Sequence, residues 1–360
     1  YRLQSQIAKS MKKLLLYSIT LFMATLFGCT QQTTQQKDRG IEIANMDTTY
    51  VPGDDFYMYA TGGWQEANPI PDENSRYGTF DKLRENNQEQ LQGLIEELGA
   101  KDHKLGTNAQ KVGTLYSMGI DEGKLNAEGY EPIKPILAEI DEATSKKDIV
   151  RLMAQINRFA ASPFFGFRVG PDTKNSTMNI AHIFQSGIGM GGREYYTEQD
   201  DKSKELRQEY VNMMQVQFQN IGYPEAKAVE AAKAAMKIET ELAENHFTKE
   251  ERRQPEKNYH KIKFIDLEKE VAPFYWAYYF KQVGANSLED LNVSQIEPVR
   301  AAINIINTES IENLKSYLNW IVIRSAASYL SDDFVDASFE FYGKTMSGSK
   351  ENRPRWKRSI

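Results

Sequence analysis

Apolar residues recur every three or four positions along most of this chain, and that period predicts helices. Phe80, Leu83, Leu91, Leu94, Ile95 and Leu98 share one face, so 80–98 reads as an amphipathic helix with Gly99 as its stop. Further helices are expected near 107–119, 131–143 and 146–160, separated by Asp, Gly, Pro and Ser. Past residue 201, Leu206, Tyr210, Met213, Met214, Phe218 and Ile221 form a stripe ending at Gly222, and Pro224 opens the next helix. Ala226 to Leu242 is alanine-rich and strongly helical by propensity. Thr308 is the expected N-cap of a helix carrying Ile311, Leu314, Leu318 and Ile321. The period shortens to two only around one turn. Phe165, Phe167 and Val169 alternate, Pro171 to Asn175 turns, and Met178, Ile180, His182 and Phe184 alternate again. The expected fold is mainly α with a small antiparallel β element.

One stretch follows neither period. Asp54 to Asp81 holds Phe56, Tyr57, Tyr59, Trp64, Tyr77 and Phe80, but Gly62, Gly63, Pro69 and Pro71 interrupt it. Proline removes a backbone donor and glycine invites positive φ, so the stretch reads as an irregular strap, not one helix or strand. Leaving its rings in water forfeits roughly 1.5–3 kcal/mol per large side chain, so 45–81 is expected to pack against a larger body.

The net charge of −6 and a pI near 5.5 argue against a nucleic-acid partner, which calls for a basic stripe. Met11-Lys12-Lys13 precedes 14 apolar-rich residues from Leu14 to Phe27. As a helix these reach only about 21 Å, short of a bilayer core of about 30 Å, so 1–29 reads as a signal region. Leu26-Phe27-Gly28-Cys29 resembles a lipobox, which makes Cys29 the candidate lipidation site and implies a lipid anchor to a membrane. The expected location is the cell envelope, as a lipoprotein facing the periplasm or the exterior. Residues 30–44 read as a polar tether. Cys29 is the sole cysteine, so the body has no disulfide and no thiolate for chemistry.

Asp55-Phe56-Tyr57, Gly62-Gly63-Trp64, Pro69-Ile70-Pro71 and Ser75-Arg76-Tyr77-Gly78-Thr79-Phe80 resemble the N-terminal signature of the neprilysin family of zinc endopeptidases. The resemblance covers about Tyr50 to Ile360. It implies a helical, cavity-enclosing lobe of a two-lobed metallopeptidase with zinc as cofactor and oligopeptides as substrates. On this reading the strap 45–81 packs on a C-terminal catalytic lobe that the chain lacks, 82–345 is the helical lobe and 346–360 starts the crossover to that catalytic lobe, so the chain alone is expected to be inactive. The family's R-Y-G-x-F-D motif implies that Arg76 meets the substrate backbone or C-terminal carboxylate, that Asp81 orients its guanidinium, and that Phe80 lines the pocket beyond the scissile bond. A structural salt bridge between Arg76 and Asp81 is the alternative. A non-catalytic helical lipoprotein that binds peptides or a partner protein is the alternative for the whole chain.

Other candidate chemistry reads blandly. The four histidines, His103, His182, His246 and His260, have no partner at i+4, and no H-E-x-x-H is present, so no zinc site is expected in this chain. His182 reads as a satisfied core histidine. Gly187, Gly189 and Gly192 spell G-x-G-x-x-G, but no parallel βαβ unit surrounds them, so a flexible loop is expected; with Arg193-Glu194-Tyr195-Tyr196 the run is similar to a glycine-rich loop of the same family. Phe274 to Phe280 reads as core. Glu239, Glu241, Glu244, Glu250 and Glu251, mixed with lysines and arginines, read as a solvated helix end.

Overall fold

The computed structural model describes residues 40–159 and 161–360, and these divide into two compact units, one ending at Pro69 and one running Ile70–Ile360. Cys29, the signal region and the start of the tether lie outside the described residues.

No single element spans Asp54 to Asp81, since 68–78 is irregular, but the first unit corrects the expectation of an irregular strap over part of its length. Phe56–Ala67 is a regular helix, α1, with the Asp55 carboxylate accepting from the Met58 backbone N–H at 2.9 Å as its N-cap. Gly62 and Gly63 sit inside it without positive φ. They admit a close approach instead: a Cβ on Gly63 would lie 2.5 Å from the Ala44 carbonyl oxygen, and one on Gly62 would lie 2.6 Å from the Asp47 Cβ. The backbone N–H of Asp47 then donates to the Tyr59 carbonyl at 2.9 Å.

In the second unit the helices are α2 Thr79–Gly99, α3 Asn108–Ile120, α4 Glu122–Glu128, α5 Lys134–Asp141, α6 Lys146–Asn157, α7 Glu194–Thr197, α8 Asp201–Asn220, α9 Glu225–Asn245, α10 Leu267–Glu270, α11 Trp276–Gln282, α12 Ile296–Thr308, α13 Ile311–Ala326, α14 Asp332–Ser338 and α15 Arg355–Arg358. The mainly helical architecture follows the periodicity, and several boundaries show the predicted punctuation. Ser145 and Asp148 close a reciprocal capping box on α6. Gly222 ends α8's stripe at φ 90°, a left-handed conformation that favours glycine. One cap differs: Ser310 accepts from Asn313 to start α13, while Thr308 is the last residue of α12. Thr308 and Ser310 are both cap-forming types, and the apolar stripe begins immediately after Ser310.

The hairpin forms as expected from β1 Phe165–Asp172 and β2 Asn175–Gln185, paired antiparallel. Its tip is less buried than the alternation implies, with Val169 and Met178 exposed. Two strands too short to show a period complete a mixed sheet in the order β1-β2-β4-β3. β4, Asp290–Val293, runs parallel to β2, and β3, Lys261–Lys263, runs antiparallel to β4. His182 is buried in this sheet; its Nε2 donates to the Pro171 carbonyl at 3.2 Å and its Nδ1 accepts from Asn292 at 3.3 Å.

The core lies around α9, which packs along α8, α12 and α13. Phe165, Phe274, Trp276, Tyr279 and Phe280 form an aromatic cluster beside β1, as expected for the 274–280 run. Each such buried ring contributes roughly 1.5–3 kcal/mol of hydrophobic stabilisation.

Glu239 corrects the expectation of a solvated face, because it has no exposed surface at all. Its carboxylate accepts from Tyr196 Oη at 2.5 Å, Tyr210 Oη at 3.1 Å, Trp320 Nε1 at 2.9 Å and the Gly189 backbone N–H at 3.0 Å, and it pairs with Arg324 at 3.3 Å. Burial foremost, and then this negative charge, push the hydroxyls of Tyr196 and Tyr210 well above their ordinary range. The same carboxylate corrects the expectation of a flexible glycine loop. The Gly189 N–H that a phosphate would need is already bound to Glu239, and a Cβ there would lie 1.8 Å from Tyr210 Oη. The loop is therefore a packed element, which leaves no phosphate cradle.

Buried His246, at the end of α9, gives the fold a pH dependence. Burial first, then the charges of Arg252 and Arg193, hold its imidazole down to about 4, against a hydrogen bond that the ring donates to the Ser186 backbone carbonyl. Between about 4 and 6.5 the unfolded chain takes up a proton that the folded chain refuses, so stability is full above that window and falls as pH drops through it. The loss from this group reaches about 3 kcal/mol. Thermal unfolding of the wild type and His246→Gln from pH 7 to 4 checks it: the variant should show a shallower decline.

Candidate substrate-contact site

Arg76 sits on the loop that leads into α2, and both flanks of that loop are tied down. On the C-terminal side the Tyr77 hydroxyl donates to Glu85, one turn into α2, and this bond foremost pushes the phenol up to about 12. Asp81, in the first turn of α2, favours the positive end of the helix dipole. Its carboxylate accepts from Arg84 at 2.8 Å and makes no ion pair with Arg76. Neither the structural Arg76–Asp81 bridge nor a direct orienting contact between them is present. Geometry at i, i+3 explains this, because α2 places Arg84 one turn above Asp81 while Arg76 lies outside the helix.

Arg76 is exposed, and its guanidinium has no hydrogen bond or ion pair with another described residue. Four nearby carboxylates are engaged elsewhere, Asp72 with Lys350, Glu73 with Lys357, Asp81 with Arg84 and Glu85 with Tyr77, whereas the Glu351 carboxylate has no partner among the described residues. Phe80, at the start of α2, is 87% exposed, so an aromatic face stands in solvent four residues along the chain from Arg76.

The opposite wall comes from the far end of the chain. A cleft of about 290 Å³ is lined by Arg76, Asp81 and Arg84 on one side and by Phe339, Ser347, Glu351 and Arg353, among others, on the other. Backbone N–H groups of Lys350 and Glu351 both donate to the Asp72 carbonyl, at 2.8 and 3.1 Å, and Arg353 donates to Asn74 Oδ1 at 3.4 Å. Behind them Arg355 is buried and binds Asp332 at 2.6 Å, which fixes the short helix α15. Sequence reasoning sent 346–360 towards another lobe and missed this contact. Its only trace in the sequence is an acidic pair, Asp72-Glu73, and a basic run, Arg353 to Arg358, far apart along the chain. Chemically the cleft offers a planar cation for a carboxylate or peptide carbonyl and, in Phe339, an apolar ring on its other wall.

Residues 52–360 match the sequence model of peptidase family M13. This chain belongs to peptidase family M13. It is 30% identical to endothelin-converting enzyme 1 of Cavia porcellus over 327 residues, 88% of this chain and 43% of that protein. It is 26% identical to human membrane metallo-endopeptidase-like 1 over 347 residues, covering 88% and 44%. Among solved structures it resembles the zinc metalloprotease Zmp1 of Mycobacterium tuberculosis in complex with inhibitor, with a TM-score of 0.84 and 28% identity over 89% of this chain and 49% of that one. PepO from Lactobacillus rhamnosis shares the fold, with a TM-score of 0.71 at 16% identity. The chain spans less than half the length of these relatives and corresponds to an M13 N-terminal region.

The M13 family is one of zinc metallopeptidases, so the residues present must be tested against zinc. They do not fit. His103, His182 and His260 each direct a ring nitrogen at a backbone carbonyl, of Leu98, Pro171 and Val293, and sit on separate elements. No group of three or more His, Cys, Asp or Glu side chains able to hold a metal occurs among the described residues. Nor, among them, is any helix long and apolar enough to cross a membrane.

Proposed function

We propose that this chain is the substrate-enclosing, non-catalytic part of a cell-envelope zinc metalloendopeptidase that hydrolyses oligopeptides, and that Arg76 receives the substrate's C-terminal carboxylate or backbone. The observation that carries the reading is the exposed guanidinium of Arg76, which pairs with no described residue while Asp72, Glu73 and Asp81 are each taken by another cation, with Phe80 exposed four residues further along the chain. A guanidinium offered to solvent in a fixed loop matches a carboxylate bidentately. Phe80 supplies apolar surface for the neighbouring substrate side chain. In this reading Asp81 acts at one remove, by fixing Arg84 and the first turn of α2. None of the described residues would hold the family's zinc, so in this reading the chain supplies substrate contacts and not metal chemistry.

The decisive test is to read the nucleotides that follow the Ile360 codon and, in parallel, to assay residues 30–360 for peptide cleavage. An in-frame H-E-x-x-H followed by E-x-x-x-D, with no chelator-sensitive cleavage by 30–360 alone, is the expected result. A true stop followed by intergenic sequence would favour a lipoprotein that only binds peptides or a partner. Chelator-sensitive cleavage by 30–360 alone would overturn the division of labour.

A further inference from the structure

The three residues that precede Ser75 and Arg76 are each held by a different residue of the segment 350–357. Asp72 receives two backbone N–H groups and the Lys350 ammonium at 2.8 Å, Glu73 binds the Lys357 ammonium, and Asn74 accepts from Arg353. These contacts are not equivalent. Lys350 and Asp72 are largely exposed, and such a pair contributes little. Lys357 and Glu73 retain only 18% and 15% of their side-chain exposure, so water screens them less and their geometry is more strictly held. With Tyr77 anchored to Glu85 on the other side, Arg76 hangs from a loop fixed at both ends.

We infer that Lys357, acting through Glu73, is a positioning residue for Arg76: it holds the substrate-contact loop in the shape that presents the guanidinium to a peptide carboxylate. The inference rests on the role proposed for Arg76 above. Its physical basis is preorganisation, since a loop already fixed loses less freedom when a ligand binds. Lys357 itself touches no substrate. Its partner Glu73 lines the cleft, but its charge is neutralised by Lys357, which also keeps it from repelling the incoming carboxylate.

The experiment uses the intact peptidase and a matched pair of peptides, one with a free C-terminal carboxylate and one amidated. Lys357→Met should raise KM for the free-carboxylate peptide by about fivefold or more, with kcat and the amidated peptide unchanged. Lys357→Arg should restore most of the difference. Lys357→Glu should lose carboxylate selectivity, and Lys357→Glu with Glu73→Lys should regain it, which also controls for variants that fold poorly. Equal losses on both peptides, or no loss of selectivity while Arg76→Met abolishes it, would overturn the inference and leave the role of Arg76 standing. If Arg76→Met itself does not distinguish the two peptides, both fall together.

Discussion

Glu239→Ala should destabilise the protein by roughly 3–5 kcal/mol, the expected cost of removing one partner from a buried charge pair. The acceptor that vanishes serves Tyr196, Tyr210, Trp320 and the Gly189 N–H, and Arg324 loses its counter-charge. Each orphaned buried donor costs about 1–3 kcal/mol if nothing replaces its partner, although relaxation keeps the total below the sum. Domains of this kind are stable by only about 5–15 kcal/mol, so the variant loses a large share of its margin. Urea denaturation followed by tryptophan fluorescence measures it directly, because Trp320 donates to Glu239. Glu239→Gln keeps the shape and some of the bonds and should fall between wild type and Ala. A loss under 1 kcal/mol for Ala would mean that the network is worth no more than an exposed pair.

Arg76→Met should lower kcat/KM for peptides with a free C-terminal carboxylate by about 100-fold in the intact peptidase, near 3 kcal/mol, while sparing amidated peptides. That magnitude is what losing the proposed charge-assisted, bidentate contact would cost, and Arg76→Lys should recover only part of it, because an ammonium cannot reproduce the planar fork. Stability should barely change, since Arg76 has no partner among the described residues. That combination separates it from Glu239, whose loss acts on the fold first.

Helices and the hairpin were legible because their burial is periodic over many residues. β3 and β4 were not, being three and four residues long and defined by pairing with partners far away. The burial of Glu239 was readable and was misjudged from its charged neighbours Lys237 and Glu241. It occupies the apolar stripe of α9, in register with Ala228, Ala232, Ala235 and Leu242, all buried. A lone carboxylate on such a stripe signals an internal charge partner. The helix Phe56–Ala67 was hidden because Gly62 and Gly63 read as breakers, whereas their role is contact with 44–47. For the candidate site, the motif picked out Arg76, Phe80 and Asp81, but not that Asp81 pairs with Arg84 or that Lys357 and Arg353 reach the same loop. Those contacts depend on chain closure, which no local pattern encodes.

The clasp between Glu73 and Lys357 joins residues 284 positions apart. At a ribosomal pace of about 5–20 residues per second, the second partner is made roughly 15–55 s after the first. Through that interval the arginine loop has nothing to close on, however early the helices beside it settle. The loop that carries Arg76 is thus finished only once Lys357 has left the ribosome, and a nascent chain of any shorter length carries the arginine without its clasp.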